Sequence, residues 1–260
     1  DYSAVSNDDG AGVVDEDDTV NATTIVTNGI TIIDVSSIDF SADGSLTIGA
    51  DLGAGVVTNN SGTNNFGTAT FVITTGNTTL ATLNTASQNY NVIFTGAANT
   101  ITNAVTFSNT GYIKFGDASG DSSTFNGGLT TTAPSQINIG GILETSNDAM
   151  SLGDSDTAIV LVANTTLNTG SAALTLNATV NGGYTLTLNS TDATTFAGVV
   201  GGSTALTGIN TNASGTVVFN TTAIETNGDQ LYRENATIGG NITFTTGDND
   251  LTFSGTVNSV

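Results

Sequence analysis

Short apolar stretches that alternate with polar residues recur along nearly the whole chain. They are five to eight residues long, rich in Val, Ile, Thr and Phe, and bounded by Gly, Asn, Asp or Ser. This pattern is typical of β-strands separated by tight turns. Clear examples are residues 45–50, 90–95, 112–116, 158–163 and 216–220. None has the spacing of a sustained amphipathic helix, so the pattern predicts an all-β fold.

The spacing of these strands favours one architecture among three. Strand centres lie roughly 8–12 residues apart, which fits a sandwich, a barrel or a solenoid. Hairpin signals are few: Asn28-Gly29 joins plausible strands, and Asn126-Gly127 lies in a weak segment. With two or three strands per coil, a coil takes roughly 20–30 residues, and about a dozen coils would stack to about 5–6 nm. We therefore predict a parallel β-helix solenoid, and the crossover preference makes us expect a right-handed one.

A long internal repeat supports a stacked architecture. Residues 164–181 and 241–258 can be aligned with each other without a gap, with identities such as Thr166/Thr243 and Leu174/Leu251. The two copies start too far apart for one coil, so we interpret the repeat as several coils copied as a block. Such a block implies that each coil buries its apolar face against its neighbours.

The first twenty residues differ from the rest. They contain few apolar residues and a run of acids: Asp8, Asp9, Asp15, Glu16, Asp17 and Asp18. We predict an acidic cap or arm over 1–20 and a single solenoid over 21–260. Because the chain opens at Asp1 and stops at Val260, just after the second copy, we expect adjoining segments of a longer chain.

The charge balance narrows the choice of partners. The net charge is −21, since only Lys114 and Arg233 oppose 23 carboxylates. Nucleic acid and anionic lipid would be repelled, whereas cations are natural counter-charges. There is no Cys and no run of 18 apolar residues, so we expect neither disulfides nor a membrane span. Together with the Thr, Asn and Gly content, this favours a secreted or bacterial cell-surface protein.

The last hundred residues, 161–260, resemble a known kind of sequence. Thr194, Thr195, Phe196, Gly198, Val200, Gly201 and Gly202 form a TTFxGxVGG segment, and Glu225, Thr226, Gly228, Gln230 and Tyr232 match TTxGxQxY except at Glu225. An ATIGG strand and a closing LTFSGTVNS follow. The region resembles the β-strand repeats of large bacterial surface proteins, namely filamentous-haemagglutinin-like adhesins and autotransporter passengers. The resemblance implies a secreted β-helix for surface display, adhesion or matrix building, and it implies no catalytic residues.

Few residues are suited to catalysis. With no His and no Cys, Ser-His-Asp and Cys-His mechanisms are excluded. A glycosidase needs only two carboxylates, and Asp34, Asp39, Glu144 and Glu225 are strand-borne candidates. Aromatic residues make up 6% of the chain and include no Trp, which is few for a sugar-binding groove. We expect a non-enzymatic protein and keep a carbohydrate-active β-helix as the alternative.

Calcium is the best-supported cofactor hypothesis. The sequences GDSDT and GDNDL place Asp154 with Asp156, and Asp248 with Asp250, in turns that begin with Gly; residues 116–121 are a looser version. Ca²⁺ binds six to eight oxygens of this kind. The same residues also favour plain solvated turns, which is the alternative.

Two structural functions follow from these observations. The leading hypothesis is a non-catalytic extracellular rod that displays recognition surfaces on its turns to host or neighbouring cells. The alternative is a self-assembling subunit of a surface layer, sheath or filament, with Ca²⁺ relieving repulsion among carboxylates. Both predict a stiff stack and differ in whether copies associate.

Overall fold

The computed structural model describes residues 91–260 continuously and, before them, 5–6, 19–20, 24–27, 45–48, 63–65, 71–74, 78–80, 82–85 and 87. All regular structure in this described part is β-strand, and it contains no helix with the length and apolarity needed to cross a membrane. The early strands are β1 Val5–Ser6, β2 Thr19–Val20, β3 Thr24–Thr27, β4 Ser45–Ile48, β5 Thr63–Asn65, β6 Phe71–Thr74, β7 Thr78–Leu80 and β8 Thr82–Asn84.

The continuous part contains the remaining strands. They are β9 Asn91–Phe94, β10 Ala98–Ile101, β11 Val105–Thr106, β12 Tyr112–Phe115, β13 Ser122–Phe125, β14 Leu129–Thr131, β15 Gln136–Thr145, β16 Met150–Leu152, β17 Ala158–Gly170, β18 Leu174–Leu176, β19 Thr179–Asn181, β20 Thr185–Ser190, β21 Ala193–Phe196, β22 Gly208–Thr211, β23 Thr216–Phe219, β24 Ala223–Glu225, β25 Gln230–Tyr232, β26 Asn235–Ile238, β27 Thr243–Thr245, β28 Leu251–Phe253 and β29 Val257–Ser259.

From Asn91 onward the strands wind around three faces in a fixed order. Face I consists of β9, β12, the first halves of β15 and β17, β19, the single residue Val200, β24 and β27. Face II consists of β10, β13, the second halves of β15 and β17, β20, β22, β25 and β28. Face III consists of β11, β14, β16, β18, β21, β23, β26 and β29. The chain passes from I to II to III and then begins the next turn.

Neighbouring strands on each face are parallel. On face III each residue is paired with one that lies a full turn later in the sequence, as in Val105↔Leu129 at one end and Val217↔Ala236 near the other. In the described residues, the pairing of β1 with β2 is antiparallel and every other strand pairing is parallel. The predicted parallel β-solenoid is therefore confirmed, and its right-handed winding stays a prediction.

The stack from Asn91 to Val260 has about eight turns, since face III contains eight strands. Turns 1 to 8 begin at Asn91, Tyr112, Gln136, Ala158, Thr179, Val200, Ala223 and Thr243. At the usual strand spacing, eight turns rise to about 4 nm. Farther towards the N-terminus, β3, β4, β5 and β8 form a parallel sheet in which each strand pairs with the next one of the series. Most of the acidic cap or arm predicted over 1–20 lies outside the described residues.

The core is a column of inward side chains along the axis. Strand burial alternates residue by residue, as in Tyr112–Phe115 and Thr185–Ser190, so every second side chain enters the column. Between residues 91 and 260, aliphatic residues fill turns 3 and 4, and aromatic rings lie in turns 1–2 and 5–8. The first aromatic group contains Phe94, Phe107, Phe115 and Phe125, and the second contains Phe196, Phe219, Tyr232, Phe244 and Phe253. The stack continues before turn 1, because β6 pairs with β9 and β7 with β10.

The two copies of the internal repeat occupy different faces. In residues 164–181 the strands fall on faces II, III and I, whereas in 241–258 they fall on faces I, II and III. The second copy therefore begins three turns and two further faces after the first. The interpretation as whole coils copied in a block does not hold. What recurs is a local succession of strand, turn, strand, turn and strand.

Candidate functional site

The first predicted calcium turn is held together by its own carboxylate. Asp154 lies in the corner between β16 and β17, and its Oδ1 accepts hydrogen bonds from the Thr157 hydroxyl at 2.9 Å and from the amides of Asp156 and Thr157 at 3.0 and 3.1 Å. The Thr157 hydroxyl and these amides lower the pKa of Asp154. Asp156 is exposed beside it. The Asp154 oxygen thus shapes the turn, as expected for an Asp in such a loop.

The second predicted calcium turn lies at another corner. Asp248 and Asp250 connect β27 on face I to β28 on face II, in the last turn, and both are exposed. The two Gly-Asp-x-Asp sequences are therefore not brought together. Asp250 instead follows Asp229 of the preceding turn, whose Oδ1 accepts a hydrogen bond from the Asp250 amide at 3.1 Å. This places two carboxylates in successive turns of the same corner.

The looser acidic turn, 116–121, is also self-contained. Asp121 is 8% exposed, and its Oδ2 accepts hydrogen bonds from the amides of Asp117 and Ala118 at 2.8 and 2.9 Å. Lys114 lies 3.5 Å from the Asp117 carboxylate. Within the described ranges, no group of three or more acids is arranged to hold a metal ion. Calcium binding by Asp154, Asp156, Asp248 and Asp250 stays a prediction.

The two candidate glycosidase acids among the described residues, Glu144 and Glu225, do not form a pair. Asp34 and Asp39 lie outside the described residues. Glu144 points outward from face II in turn 3, where Thr124 and Asn168 donate hydrogen bonds to it at 3.0 and 3.4 Å. Glu225 is exposed on face I in turn 7. Four turns separate them by about 19 Å along the axis, whereas paired glycosidase carboxylates are roughly 5–9.5 Å apart.

A shallow groove of about 290 Å³ lies on face II and contains one of the two cationic residues of the chain. Its walls include Thr185, Asn210, Asp229, Leu231 and Arg233. The Arg233 guanidinium donates to the Asn210 side chain and, at 2.7 Å, to the Thr211 carbonyl. Much of its hydrogen-bonding capacity is therefore used within the chain.

A buried polar group adjoins this groove on its inner side. Glu234 is 3% exposed and accepts a hydrogen bond from the Thr211 hydroxyl. Burial raises the pKa of Glu234, although the Thr211 hydrogen bond and the nearby Arg233 charge act in the opposite direction. Burial, together with the Glu234 charge, also raises the pKa of Tyr232. Sequence patterns did not single out Glu234, because a carboxylate beside a strand end looks like any solvated turn.

The first surface-protein motif coincides with structural requirements of the solenoid. Thr194 and Phe196 are buried on face III. A methyl group on Gly198 would overlap the Ala178 carbonyl, and Gly201 has φ +79° with no room for a side chain against the Glu225 carbonyl. These positions therefore need glycine for close approach between turns.

The second motif is explained in the same way. Gln230 is fully buried, and its amide donates at 2.9 Å to the Thr245 carbonyl of the next turn and at 3.2 Å to the Thr226 hydroxyl. Its oxygen accepts the Tyr232 hydroxyl at 3.2 Å. A methyl group on Gly228 would overlap the Thr207 carbonyl. The motif residues stabilise stacking, and none of them is arranged as an open polar site.

Asparagine has a role at the corners that sequence patterns did not reveal. Its side-chain oxygen repeatedly accepts a backbone amide from the following turn, which satisfies donors where the strand ladder is interrupted. The pairs, acceptor first, are Asn91 with Tyr112, Asn147 with Ser171, Asn164 with Thr185, Asn181 with Ser203 and Asn235 with Thr256. The two partners of each pair are separated by a nearly constant number of residues, and this spacing is the sequence signal that could have revealed the role.

These features define the chain as a parallel β-solenoid with self-contained acidic corners. Comparison of the chain with protein-family models, curated protein sequences and solved structures finds no match.

Proposed function

We propose that this chain is part of a non-catalytic extracellular structural protein, in which the solenoid is a stiff rod that displays its turns at a bacterial cell surface. The observation that carries the proposal is the uninterrupted stacking of about eight parallel turns over one axial apolar column. Such a stack provides reach and rigidity, because every backbone ladder runs along the long axis. Its corners, which contain most of the carboxylates of residues 91–260, are the natural positions for recognition.

The resemblance to bacterial surface-protein repeats supports the same proposal. The motif residues that carry it, such as Gly198, Gly201 and Gln230, serve the stacking of turns. Selection for an extended display rod would retain such residues without any catalytic group. Adhesion or matrix building would then depend on exposed positions that differ from turn to turn.

The proposal is tested on intact cells that produce the protein. Antibodies raised against residues 91–260 should label unpermeabilised cells, and brief external protease treatment should remove the label while a cytosolic marker persists. Labelling that requires permeabilisation would refute surface display. A glycan-cleavage panel run with the wild-type chain and Glu144→Gln should show equal background rates, whereas activity lost in the variant would support the carbohydrate-active alternative.

A self-assembling subunit of a surface layer, sheath or filament is the second candidate. It is favoured by Asp229 and Asp250, which occupy successive turns of one corner, where the Asp250 amide donates to the Asp229 carboxylate. A divalent cation shared there between copies would offset their repulsion. Electron micrographs with and without millimolar Ca²⁺ distinguish the two functions: ordered polymers that appear with Ca²⁺ support assembly, and isolated rods in both conditions support the display rod.

A further inference from the structure

Face III is the uncharged side of a strongly acidic molecule. Its eight strands, from β11 to β29, contain no Asp, Glu, Lys or Arg; the nearest carboxylates, at Asp148, Asp154, Asp192 and Glu234, lie in the corners beside them. One outward column is composed mainly of hydroxyl side chains, at Thr106, Thr130, Ser151, Thr175, Thr195, Val218, Thr237 and Asn258. Beside it in the middle turns lie Ala149, Ala173 and Ala193.

The other two faces bear charges. Lys114 and Glu225 point outward from face I, while Glu144 lies on face II and Arg233 at its edge. The remaining acids of residues 91–260 lie in corners or at strand ends. Two copies that met through face I or II would bring charges of a chain with net charge −21 into contact. Burying unpaired carboxylates is strongly unfavourable, so face III, whose strands are uncharged, is where copies can meet at the lowest such cost.

Face III is also the most regular of the three. Its seven strand pairings continue without a register shift. By contrast, the pairings of β15 with β17 and of β17 with β20 shift between Ile139 and Gly141 and between Asn168 and Gly170. Face I narrows to the single residue Val200 in turn 6. A regular sheet surface with short side chains can pack closely against an identical surface.

The available area suits a weak, reversible contact. Eight turns of about 4.8 Å and about five residues of 3.3 Å give a face of roughly 600 Å². Two such faces would bury about 1,200 Å² in total, which is the lower limit of specific protein interfaces.

We propose that face III is a self-association surface, on which a second copy of this chain packs about a twofold axis so that the two rods lie side by side and antiparallel. The axis passes between turns 4 and 5, near Thr175 and Thr195, so that the eight described strands of face III lie against those of the second copy. Long-range repulsion between the acidic rods opposes the contact, so added salt strengthens it. A salt-bridged interface would respond in the opposite direction.

Sedimentation of matched charge variants tests the proposal. Thr175→Asp/Thr195→Asp places two carboxylates in adjacent turns of face III, and Thr166→Asp/Thr187→Asp places the same pair in adjacent turns of face II. The wild-type chain should dimerise with rising concentration, more strongly at high than at low NaCl concentration. The face III variant should raise the dimer dissociation constant at least tenfold, and the face II variant should match the wild type within about twofold.

Cross-linking gives a second measurement that does not depend on the folding of the double variants. The chain has no cysteine, so Thr195→Cys and Thr187→Cys each introduce a single thiol. Packed sheets lie about 10 Å apart, within reach of a short bis-maleimide. Thr195→Cys should give covalent dimers and Thr187→Cys should remain monomeric. The proposal would be overturned if the wild-type protein stays monomeric in sedimentation or forms assemblies larger than dimers. Equal loss of dimer in both double variants would also overturn it.

Discussion

Individual polar side chains inside the column determine how this solenoid responds to pH. Gln230, Thr211 and Glu234 are buried at or beside strand ends of face II, and each has a hydrogen-bond partner in an adjacent turn or strand. Burial of such groups is tolerated only because these partners replace water. Among them Glu234 is the one that can ionise, so its protonation is linked to folding.

The raised pKa of Glu234 predicts the sign of that linkage. The folded chain holds this proton to a higher pH than the unfolded chain, so stability falls as pH rises from about the ordinary value of 4.5 through the folded pKa. Glu234→Gln keeps an acceptor for Thr211 without a charge. Urea unfolding should therefore show the variant more stable than the wild type at neutral pH, with the difference shrinking as the pH falls towards that ordinary value.

Glu225→Gln is the matched control, since it removes an exposed charge on face I. The difference in unfolding free energy between Glu225→Gln and the wild type should change little over the same pH range. A Glu234→Gln variant less stable than the wild type at neutral pH would show that the carboxylate is favourable in the folded state.

At the scale of elements, strands and corners contribute differently. Strands alternate between column and surface, whereas corners depend on glycines that let the backbones of neighbouring turns approach and on Asn oxygens that accept amides across turns. The length of a turn varies along face III, from the shorter step Val217↔Ala236 to the longer step Val105↔Leu129, while the register stays intact. Corners therefore absorb the variation in length.

A glycine substitution tests the close approach at one corner. Gly198→Ala forces a methyl group into the Ala178 carbonyl, so the corner must shift. We expect a loss of about 1–3 kcal/mol in the free energy of unfolding. Gly183→Ala is the control, because no atom lies within 4 Å of the added carbon. Equal unfolding midpoints for the two variants would contradict the tight fit at Gly198.

The asparagine ladder gives a second test at this scale. Asn181 Oδ1 accepts the amides of Ser203 at 2.8 Å and Thr204 at 3.2 Å. Asn181→Ala leaves both amides to water and should lower the free energy of unfolding by about 1–2 kcal/mol. Asn181→Asp keeps the acceptor and should lower it less. Amide hydrogen exchange at Ser203 and Thr204 should accelerate in the alanine variant alone. Unchanged exchange there would mean that the bond adds little protection.

Sequence patterns predicted many of the strands whose inward positions are apolar, although β16, with Met150 and Leu152 inward, was missed. The strand over 112–116 was predicted, with Ile113 and Phe115 inward. The strands β13, β22 and β25 were missed, because Ser123, Thr211 and Gln230 occupy inward positions and break the alternation. Their polarity is compensated by contacts between turns, which a linear pattern does not contain.

The candidate sites were less predictable for a related reason. Asp154 is a residue type that binds calcium, but its Oδ1 already accepts hydrogen bonds within its own turn. The absence of charge on face III emerges only when strands from successive turns, far apart in the sequence, are placed side by side. Both features depend on register, and register is fixed by stacking.

At the scale of the whole molecule, stability is expected to be local along the axis, because each turn contacts only its neighbours. Within residues 91–260, aromatic groups reinforce turns 1–2 and 5–8. Phe219 illustrates this, since its ring lies 5.7 Å from Phe196, 5.0 Å from Tyr232 and 5.2 Å from Phe244 between centroids.

Cavities at opposite ends should therefore open different turns. Phe219→Ala should cost about 3–5 kcal/mol and expose turns 6–8 to protease first, while Phe125→Ala, in turn 2, should expose the opposite end. Limited proteolysis with mass spectrometry of the fragments measures this. Identical fragment patterns from the two variants would show that the rod unfolds as one cooperative unit.

The second copy of the internal repeat is out of phase with the first by two faces, and this has a consequence for how such proteins change in length. A strand with its turn can occupy any of the three faces, because all three faces pack against the same column. Unequal recombination in the gene therefore does not have to add or remove a whole number of turns for the product to fold. In a product that gains or loses a single strand, every later strand moves to the next face. Its apolar side chains still pack into the same column.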